Sequence, residues 1–310
     1  MPITLPDLRG RTAVVTGASD GVGVEIARGL ARAGADVVLP VRNRAKGERV
    51  IAGIRESQPE ARLALRDLDL ARLDSVAALA EALRSERVPV DLLVLNAGIV
   101  LLGDPERHVT ADGFELHFQT NFLGHFALTT ALLPLLRERS ARASEARVVV
   151  QCSLAAGVSQ LDWDDLQSSR RYSPLRAYGA SKIALGLFGY ELARRSAAGS
   201  WGLTVQLSHP GVVPDTGIAP ALRARAKGGA QHSVARFVGN SPEQAAQPAL
   251  LAAVAPAGPG APQFFGPSGM LHFGGPPAAQ RPYRRITDAA AGERIWGLAE
   301  RLLAERVRPA

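Results

Sequence analysis

The sequence predicts an α/β protein built on a doubly wound parallel sheet, with helices on both faces. From residue 11 onward, short runs of apolar, often β-branched residues alternate with longer amphipathic helical patterns, and the runs are apolar on both faces. The first run leads into a glycine-rich turn that opens a helix, as in Rossmann-type domains. The 310 residues are enough for one large domain with a well-buried core.

The predicted elements alternate along the chain. The predicted strands, in order, are TAVVTG, DVVLPV, ARLALRDL, VDLLVLNAG, RVVVQCS and LTVQLSHPG. The predicted helices are GVEIARGLARAG, which Gly34 closes, then about 45–57, about 74–86, around 112–139, and a helix that begins near Ser173. Because crossovers between parallel strands are right-handed, this alternation gives a doubly wound sheet.

The composition changes after residue 215. Gly, Ala and Pro dominate two stretches, 217–232 and 255–282. We predict that both are loops packed over the sheet edge, near a ligand. The alternative is that they are poorly ordered loops on the surface. A helix is predicted between them at SPEQAAQPALLAAVA, and a final helix at AAGERIWGLAERLLAERV closes the chain.

The composition excludes several classes of protein. Hydrophobic residues make up 46% and charged residues 21% of the chain, as in a folded globular protein rather than a disordered one. The single cysteine, Cys152, excludes an intrachain disulfide and fits a reducing compartment. The sequence has neither the pattern of a signal peptide nor an apolar run long enough to span a bilayer, so we expect a cytoplasmic protein.

The formal net charge of +7 makes nucleic acid a candidate partner. All but three of the 36 basic residues are arginine, and they are scattered along the chain, often beside Glu or Asp. No basic block is interleaved with aromatic residues. We therefore expect a solvated arginine surface, with neither nucleic acid nor a membrane as partner. The six histidines show no metal-ligand spacing, so no metal site is predicted.

The turn after the first strand reads TGASDGVG, in which Gly17, Gly21 and Gly23 are spaced Gly-x-x-x-Gly-x-Gly. Glycines there let the backbone pass close to a pyrophosphate, whose charge the free N–H groups of the helix N-terminus would bind. The alternative is that the turn only connects the strand to the helix and binds no ligand. Its position in the first strand–helix unit of the chain favours a dinucleotide site. The other predicted contacts in this turn are Ser19, Asp20 and Val22.

The end of the second strand indicates which dinucleotide binds. An NAD site commonly has an acid about 20 residues after the glycines, which binds the ribose 2′-hydroxyl. Here the strand ends in Val41 and Arg42, and no acid occurs before Glu48. Because arginine forms a charge-assisted fork with a 2′-phosphate, we predict NADP (NADPH) rather than NAD, with Asn43 and Arg44 as lesser contacts. The alternative is that Arg42 is an ordinary surface residue.

These motifs and five later ones resemble the short-chain dehydrogenase/reductase family over residues 8–216. The later motifs, in the family's order, are NAG at Asn96–Gly98, Asn121 in TNFLGHF, Ser153 in VVVQCS, Tyr178-x-x-x-Lys182, and HPGVVPDT at 209–216. A Tyr-x-x-x-Lys match alone often occurs by chance, whereas the whole set at predicted strand ends does not.

The resemblance implies an oxidoreductase with four catalytic residues, Asn121, Ser153, Tyr178 and Lys182. An unperturbed tyrosine has a pKa of about 10, too high for proton transfer near neutral pH. Residues i and i+4 share a helix face, and an ammonium about 4 Å away stabilises a phenolate by about 4 kcal/mol at an effective dielectric near 20, or roughly three pKa units. We therefore predict that Lys182 lowers the pKa of Tyr178, which would exchange a proton with the substrate oxygen. By the resemblance, Ser153 hydrogen-bonds that oxygen, and Asn121 holds a helix kink and a water linked to Lys182.

The resemblance also implies the remaining cofactor contacts. Asp69 and Leu70 would hold the adenine, although Asp67 offers an alternative register. Tyr178 and Lys182 would also contact the cofactor, Lys182 through the nicotinamide ribose. The adenosine side would be lined by Asn96, Ala97 and Gly98. The nicotinamide would be held by Pro210, Gly211, Val213 and Thr216.

Two features point to one branch of the family. Ser153 and Tyr178 are 25 residues apart, and the segment between them, with "NFLGHFALT" and "FFGPSG", is similar to the branch of retinol dehydrogenases, WW-domain oxidoreductases and light-dependent protochlorophyllide reductases. That branch often acts on lipophilic carbonyls or alcohols, which implies such a substrate here. The longer segment would also obstruct a helix face that pairs in family tetramers, so we expect a monomer or homodimer.

The resemblance makes the chain, 1–310, one domain: a cofactor-binding and catalytic core over 8–216 and a substrate-loop and C-terminal helical region over 217–310. Two other functions stay open, namely a dinucleotide-binding regulator without turnover, and dehydratase or epimerase chemistry on the same fold. Relatives with those functions usually lack part of the catalytic set, which is complete here. Cys152 is interpreted as a buried small residue, because no histidine partner is evident.

Overall fold

The protein contains one sheet of eight strands among the residues that the computed structural model describes, which are 3–142, 145–213, 239–257 and 261–307. The strands are β1 Thr12–Val15, β2 Asp36–Val41, β3 Leu63–Asp67, β4 Leu92–Leu95, β5 Ala146–Gln151, β6 Leu203–Ser208, β7 Phe264–Pro267 and β8 Pro277–Gln280. Their order is β3-β2-β1-β4-β5-β6-β7-β8; β1 to β7 are parallel and β8 is antiparallel to β7.

Helices cover both faces of the sheet. They are α1 Gly21–Arg32, α2 Arg44–Ser57, α3 Leu73–Ser85, a π-helix Phe118–Leu123 that runs into α4 Gly124–Arg142, α5 Ala155–Val158, α6 Pro174–Ala198, α7 Pro242–Val254, α8 Arg284–Thr287 and α9 Ala289–Val307. Within the described ranges, none of these helices combines the length and hydropathy needed to cross a bilayer.

Two apolar cores lie on opposite sides of the sheet. Successive strand residues point to opposite faces, so Val14 packs in the core with α3, α4, α6 and α9, whereas Val15 packs in the core with α1, α2 and α7. Burial on both faces explains why the strands read as continuous apolar runs. The predicted single-domain, doubly wound α/β fold is confirmed. The strand order reverses between β1 and β4, and ligands of doubly wound sheets bind at such a reversal.

The helix predicted over 112–139 begins later than predicted. Gly113 has a φ of +84°, and Glu115 forms an isolated antiparallel bridge with Val109. The buried carboxylate of Glu115 then accepts the N–H of Phe118 at 2.7 Å, as an N-terminal cap does. Helical periodicity in the sequence continues through this turn, so the sequence pattern alone did not reveal the boundary.

The stretch 255–282, predicted to be loops, contributes two strands. Phe264 packs in one core and Phe265 in the other, which is the alternation of a buried strand. The glycines and prolines around them hid this signal. Pro277 begins β8 at the edge of the sheet, where a missing N–H donor is tolerated. The other stretch, 217–232, lies outside the described residues.

Candidate active site

A cleft of about 500 Å³ lies at the ends of β1 to β6 and is lined by residues at or just after those ends, together with residues of α2, the π-helix and α6. Of the predicted site residues, it brings together Gly17, Ser19, Asp20, Gly21, Val22, Gly23, Arg42, Asn43, Asp69, Leu70, Asn96, Ala97, Gly98, Ser153, Tyr178, Lys182, Pro210, Gly211 and Val213. Asn121 does not line the cleft, and Thr216 lies outside the described residues. The sequence analysis did not assign eight other lining residues to a site contact, namely Pro40, Val41, Lys46, Leu68, Ile99, Thr120, Gln151 and Cys152.

The glycine turn leaves room for a phosphate. Gly17 has a φ of +71°, and a Cβ there would lie 2.8 Å from the Cα of Ala97. A Cβ on Gly23 would collide with the carbonyl oxygen of Gly17. Asp20 precedes α1 but makes no side-chain capping bond, so the first N–H groups of α1 are left for another acceptor. This arrangement fits the pyrophosphate of a dinucleotide.

A buried hydrogen-bond network that the sequence analysis missed joins the end of β1, just before this turn, to the π-helix that carries Asn121. The Thr16 hydroxyl accepts the N–H groups of Asn96 and Ala97, both at 3.0 Å, and lies 3.0 Å from Nε2 of His125. Nδ1 of His125 lies 3.0 Å from the carbonyl oxygen of Asn121 and must donate to it. Burial lowers the pKa of His125 to about 3, so the ring is neutral and Nε2 accepts from Thr16. Thr16 and His125 are 109 residues apart, and no local motif signals the contact.

Arg42 is exposed at the end of β2 and, in the described part of the chain, forms no ion pair or side-chain hydrogen bond. Its neighbours are engaged differently. The Asn43 side chain caps α2 by accepting the N–H of Lys46 at 2.9 Å, and Arg44 pairs with Asp67 at 3.0 Å. Arg42 is therefore the cation in this segment that is available to a bound anion.

Lys46 is a site residue that the sequence analysis missed. Its ammonium lies 2.5 Å from a carboxylate oxygen of Asp20, across the mouth of the glycine turn. The pair offsets the negative charge that Asp20 would otherwise present to a phosphate. A lysine two residues after Arg44 was visible in the sequence, but its partner was not.

On the adenine side, the geometry distinguishes the two predicted registers. Asp69 and Leu70 line the cleft, and the Asp69 carboxylate accepts the N–H of Ala71 at 3.0 Å. Asp67 does not line it and is instead paired with Arg44. Asp69 and Leu70 are therefore the contacts that the structure offers.

Asn121 lies in the π-helix, behind the cleft. Its Oδ1 accepts the N–H of Ile99 at 2.8 Å, while Nδ2 donates to the Ile99 carbonyl at 3.0 Å and to the Ser181 hydroxyl at 2.9 Å. A Cβ on Gly98 would lie 3.3 Å from both Asn121 Oδ1 and Lys182 Nζ, which puts these polar groups side by side. A short π-helical segment of this kind is frequent at functional sites.

The predicted lowering of the pKa of Tyr178 is wrong for this structure. Burial raises the pKa of the phenol, and a hydrogen bond with Ser153 offsets only part of that effect. Lys182, 2% exposed, donates from Nζ to the carbonyl oxygen of Gln151 at 3.0 Å, and burial lowers its pKa to about 8. Desolvation therefore exceeds the attraction that the sequence analysis assumed. Burial also raises the pKa of the Cys152 thiol to about 12, in agreement with its interpretation as an inert buried residue.

Two residues that line the cleft carry unsatisfied polar atoms. The Thr120 hydroxyl and the Gln151 amide nitrogen are buried without a hydrogen-bond partner among the described residues, and both residues line the cleft. Buried groups of this kind are normally satisfied.

Among the described residues, one group of side chains of the types that can bind a metal lies outside the cleft. Asp104, Glu106 and His108 bring ligand atoms within 4.8 Å of one another, and Asp104 lies 2.8 Å from the His108 ring. Hydrogen bonding within the loop accounts for this geometry.

Comparisons with known proteins agree with this arrangement. A sequence profile of the short chain dehydrogenase family matches residues 11–227. The chain is 40% identical to polyprenol dehydrogenase of Mus musculus over 259 residues, 82% of this chain and 75% of that protein. It is 35% identical to retinol dehydrogenase 13 of Homo sapiens over 300 residues, 95% of this chain and 85% of that protein. The match to human polyprenol dehydrogenase, at 40% identity and 67% of this chain, spans 62% of that protein's length.

Solved structures show the same fold. The structure of an uncharacterized protein from Mycobacterium paratuberculosis superposes with a TM-score of 0.77, at 33% identity over 98% of both chains. An NADP complex of Pseudomonas aeruginosa RhlG superposes with a TM-score of 0.65, at 28% identity over 82% of this chain and 94% of that chain. Matches of this extent show that the chain belongs to the short-chain dehydrogenase/reductase family, in a branch that resembles the retinol dehydrogenases.

Proposed function

We propose that the protein is an NADP(H)-dependent oxidoreductase that transfers hydride between the nicotinamide and a ketone, aldehyde or secondary alcohol of a lipophilic small molecule. One observation carries the proposal: a single cleft holds a glycine turn open to phosphate, an arginine that has no acidic partner among the described residues, and a Ser153–Tyr178 pair beside Lys182. The first two fit a phosphorylated dinucleotide, and the third fits proton transfer.

The residues divide into those that hold the cofactor and those that move the proton. A bound nicotinamide supplies or accepts the hydride. The turn 17–23 would hold the pyrophosphate, Arg42 the 2′-phosphate, and the loop 210–213 the nicotinamide. Because burial raises the pKa of Tyr178, its phenol is protonated at neutral pH, which is the form that donates to a carbonyl oxygen during reduction. The Ser153 hydroxyl can donate to the same oxygen.

The proposal of a lipophilic substrate rests on relatives and on exposed apolar residues at the edge of the sheet where the cleft lies. The names polyprenol dehydrogenase and retinol dehydrogenase describe enzymes of apolar alcohols. In this chain, Val158, Met270 and Leu271 are exposed apolar residues on segments that follow β5 and β7, at the same edge of the sheet as the cleft. We propose that 8–216 forms the cofactor and catalytic core and that 217–310 adds the substrate loops.

A spectrophotometric assay tests the proposed function. Purified protein is mixed with NADPH or NADH and a panel of ketones, quinones and aldehydes of increasing apolar length, and absorbance is followed at 340 nm. We expect NADPH oxidation that is faster with the longer, more apolar carbonyls. Equal efficiency with both nucleotides would contradict NADP dependence, and a preference for short polar carbonyls would contradict the substrate class.

Replacing Arg42 by alanine is expected to raise the KM for NADPH about tenfold or more, since charge-assisted hydrogen bonds to a phosphate contribute about 1.5–3 kcal/mol. The KM for NADH, which has no 2′-phosphate, should stay unchanged. The matched control is Arg49→Ala, which removes the same charge from an exposed site on α2 outside the cleft. An equal rise in KM for both nucleotides, or an equal effect of the control substitution, would show that Arg42 does not bind the 2′-phosphate.

The proposed assembly is a monomer or homodimer. The proposed location is the cytoplasm, which the single cysteine supports. The C-terminal helix α9 packs along α6, and its Trp296 ring stacks on Phe188 and meets Phe126 of α4 edge-on. The faces of α4 and α6 are thus covered from within the chain. We expect sedimentation at one or two times 32.7 kDa, and a tetramer mass would refute this expectation.

A further inference from the structure

The loop that follows β6 is held by the segment that follows β7. The N–H of Val212 donates to the carbonyl oxygen of Phe273 at 2.8 Å, and the N–H of His209 donates to Phe265 at 2.9 Å. Between them, Gly211 has a φ of +77°, and a Cβ there would collide with the carbonyl oxygen of Phe273. No side chain fits at position 211, so the shape of the loop depends on the contacts across it.

One buried side chain spans this junction. Asn240 is 3% exposed; its Nδ2 donates to the Pro210 carbonyl at 3.0 Å, and its Oδ1 accepts the N–H of Gly275 at 3.1 Å. Its backbone N–H donates to the Val212 carbonyl at 2.8 Å. Asn240 therefore ties both ends of the Pro210–Val212 turn to the segment after β7.

We propose that Asn240 is a positioning residue for the nicotinamide half of the cofactor, because its carboxamide holds the Pro210–Val213 loop in the shape that receives the nicotinamide. The inference rests on the proposed function, since it assumes that a dinucleotide binds in the cleft. Asn240 does not line the cleft, so it acts through the backbone of Pro210 and Val212 and not by contact with a ligand.

The chemistry of the side chain explains why an asparagine serves here. A carboxamide offers an acceptor to Gly275 and a donor to Pro210 at the same time. Alanine would leave the Pro210 carbonyl and the Gly275 N–H without this partner at a partly buried site. Aspartate would keep the acceptor for Gly275 but would set an oxygen against the Pro210 carbonyl. In either variant the loop would have to be ordered on binding, and that entropic cost affects only ligands that reach the loop.

The test compares two nucleotides on the full-length protein. Binding of NADPH and of 2′,5′-ADP, which has the adenosine half but no nicotinamide, is measured by titration for the wild type, Asn240→Ala and Asn240→Asp. We expect both variants to bind NADPH about tenfold more weakly, in keeping with one or two lost hydrogen bonds at a partly buried site, and to bind 2′,5′-ADP as the wild type does.

The matched control is Gln247→Ala on α7. Gln247 is also a buried carboxamide that joins distant segments, accepting the N–H of Ile3 at 2.8 Å, but it lies outside the cleft. If the Asn240 variants weaken both nucleotides equally, or if the control weakens NADPH binding as much, the positioning role is refuted. A wild type that binds neither nucleotide would instead overturn the proposed function.

A measurement on the wild type covers the case in which the variants do not fold. Amide hydrogen exchange is followed for Gly275 and Val212 in the free protein and with each nucleotide. We expect both amides to be protected in the free protein and further slowed by NADPH, but not by 2′,5′-ADP. Free exchange of the Gly275 amide, or equal slowing by both nucleotides, would refute the inference.

Discussion

Replacing Tyr178 by phenylalanine is expected to lower kcat about 10³-fold, within the range measured for removal of a general acid. The phenol is protonated at neutral pH because burial raises its pKa, so the wild type holds a proton ready for the carbonyl oxygen. Phenylalanine keeps the ring, including its edge-on contact with His117, but has no proton to give. NADPH binding should be retained, since the glycine turn and Arg42 are untouched.

Tyr190→Phe is the matched control for this variant. Tyr190 lies on the same helix, α6, and its hydroxyl donates to the Pro262 carbonyl at 3.3 Å, outside the cleft. Its loss should affect stability slightly and turnover not at all. The measurement is kcat together with the NADPH dissociation constant. Turnover that survives in Tyr178→Phe would contradict proton transfer by Tyr178, and a wild type that binds NADPH without turnover on any carbonyl would favour a regulatory protein.

The alternation of strands and helices and the glycine turn were predictable because their signals are local. A run such as DVVLPV is a continuous apolar stretch, which is typical of a strand buried on both faces. The glycines at 17 and 23 mark close contacts that a Cβ would prevent. The chain order of strands and helices then leaves few topologies. Nearly every residue predicted to contact the cofactor follows a strand, which is why one cleft collects them.

The features that were missed depend on contacts between distant residues. The Thr16–His125 bond and the Lys46–Asp20 ion pair join segments that no local motif connects. The pKa of Tyr178 was wrongly predicted for a related reason. Spacing on a helix shows that Lys182 is near, but the degree of burial is a property of the whole fold, and here it outweighs the charge.

Acid is expected to destabilise this protein strongly, through two buried histidines. Burial lowers the pKa of His125 to about 3 and that of His209 to about 4, from the ordinary value of 6.5. Between these values the unfolded chain binds protons that the folded chain does not, so stability is fully present above pH 6.5 and is lost as the pH falls. From pH 7 to pH 5 each histidine should cost about 2 kcal/mol, or about 4 kcal/mol together. That loss is a large part of the ordinary stability of a domain, about 5–15 kcal/mol.

Urea denaturation at pH 7, 6 and 5 measures this loss. The variants His125→Asn and His209→Gln keep neutral hydrogen-bonding side chains but do not titrate, so each should remove about half of the pH dependence, even though each lowers stability at pH 7. Direct NMR titration of the two imidazoles in the folded protein gives the same answer without substitution, since both rings should remain neutral at pH 5. The expected loss requires only that both folded-state pKa values lie below 5, so a ring that protonates near pH 6 would refute it. Both rings also hold site segments, His125 through Asn121 and His209 through Gly211, so activity should be lost over the same pH range as stability.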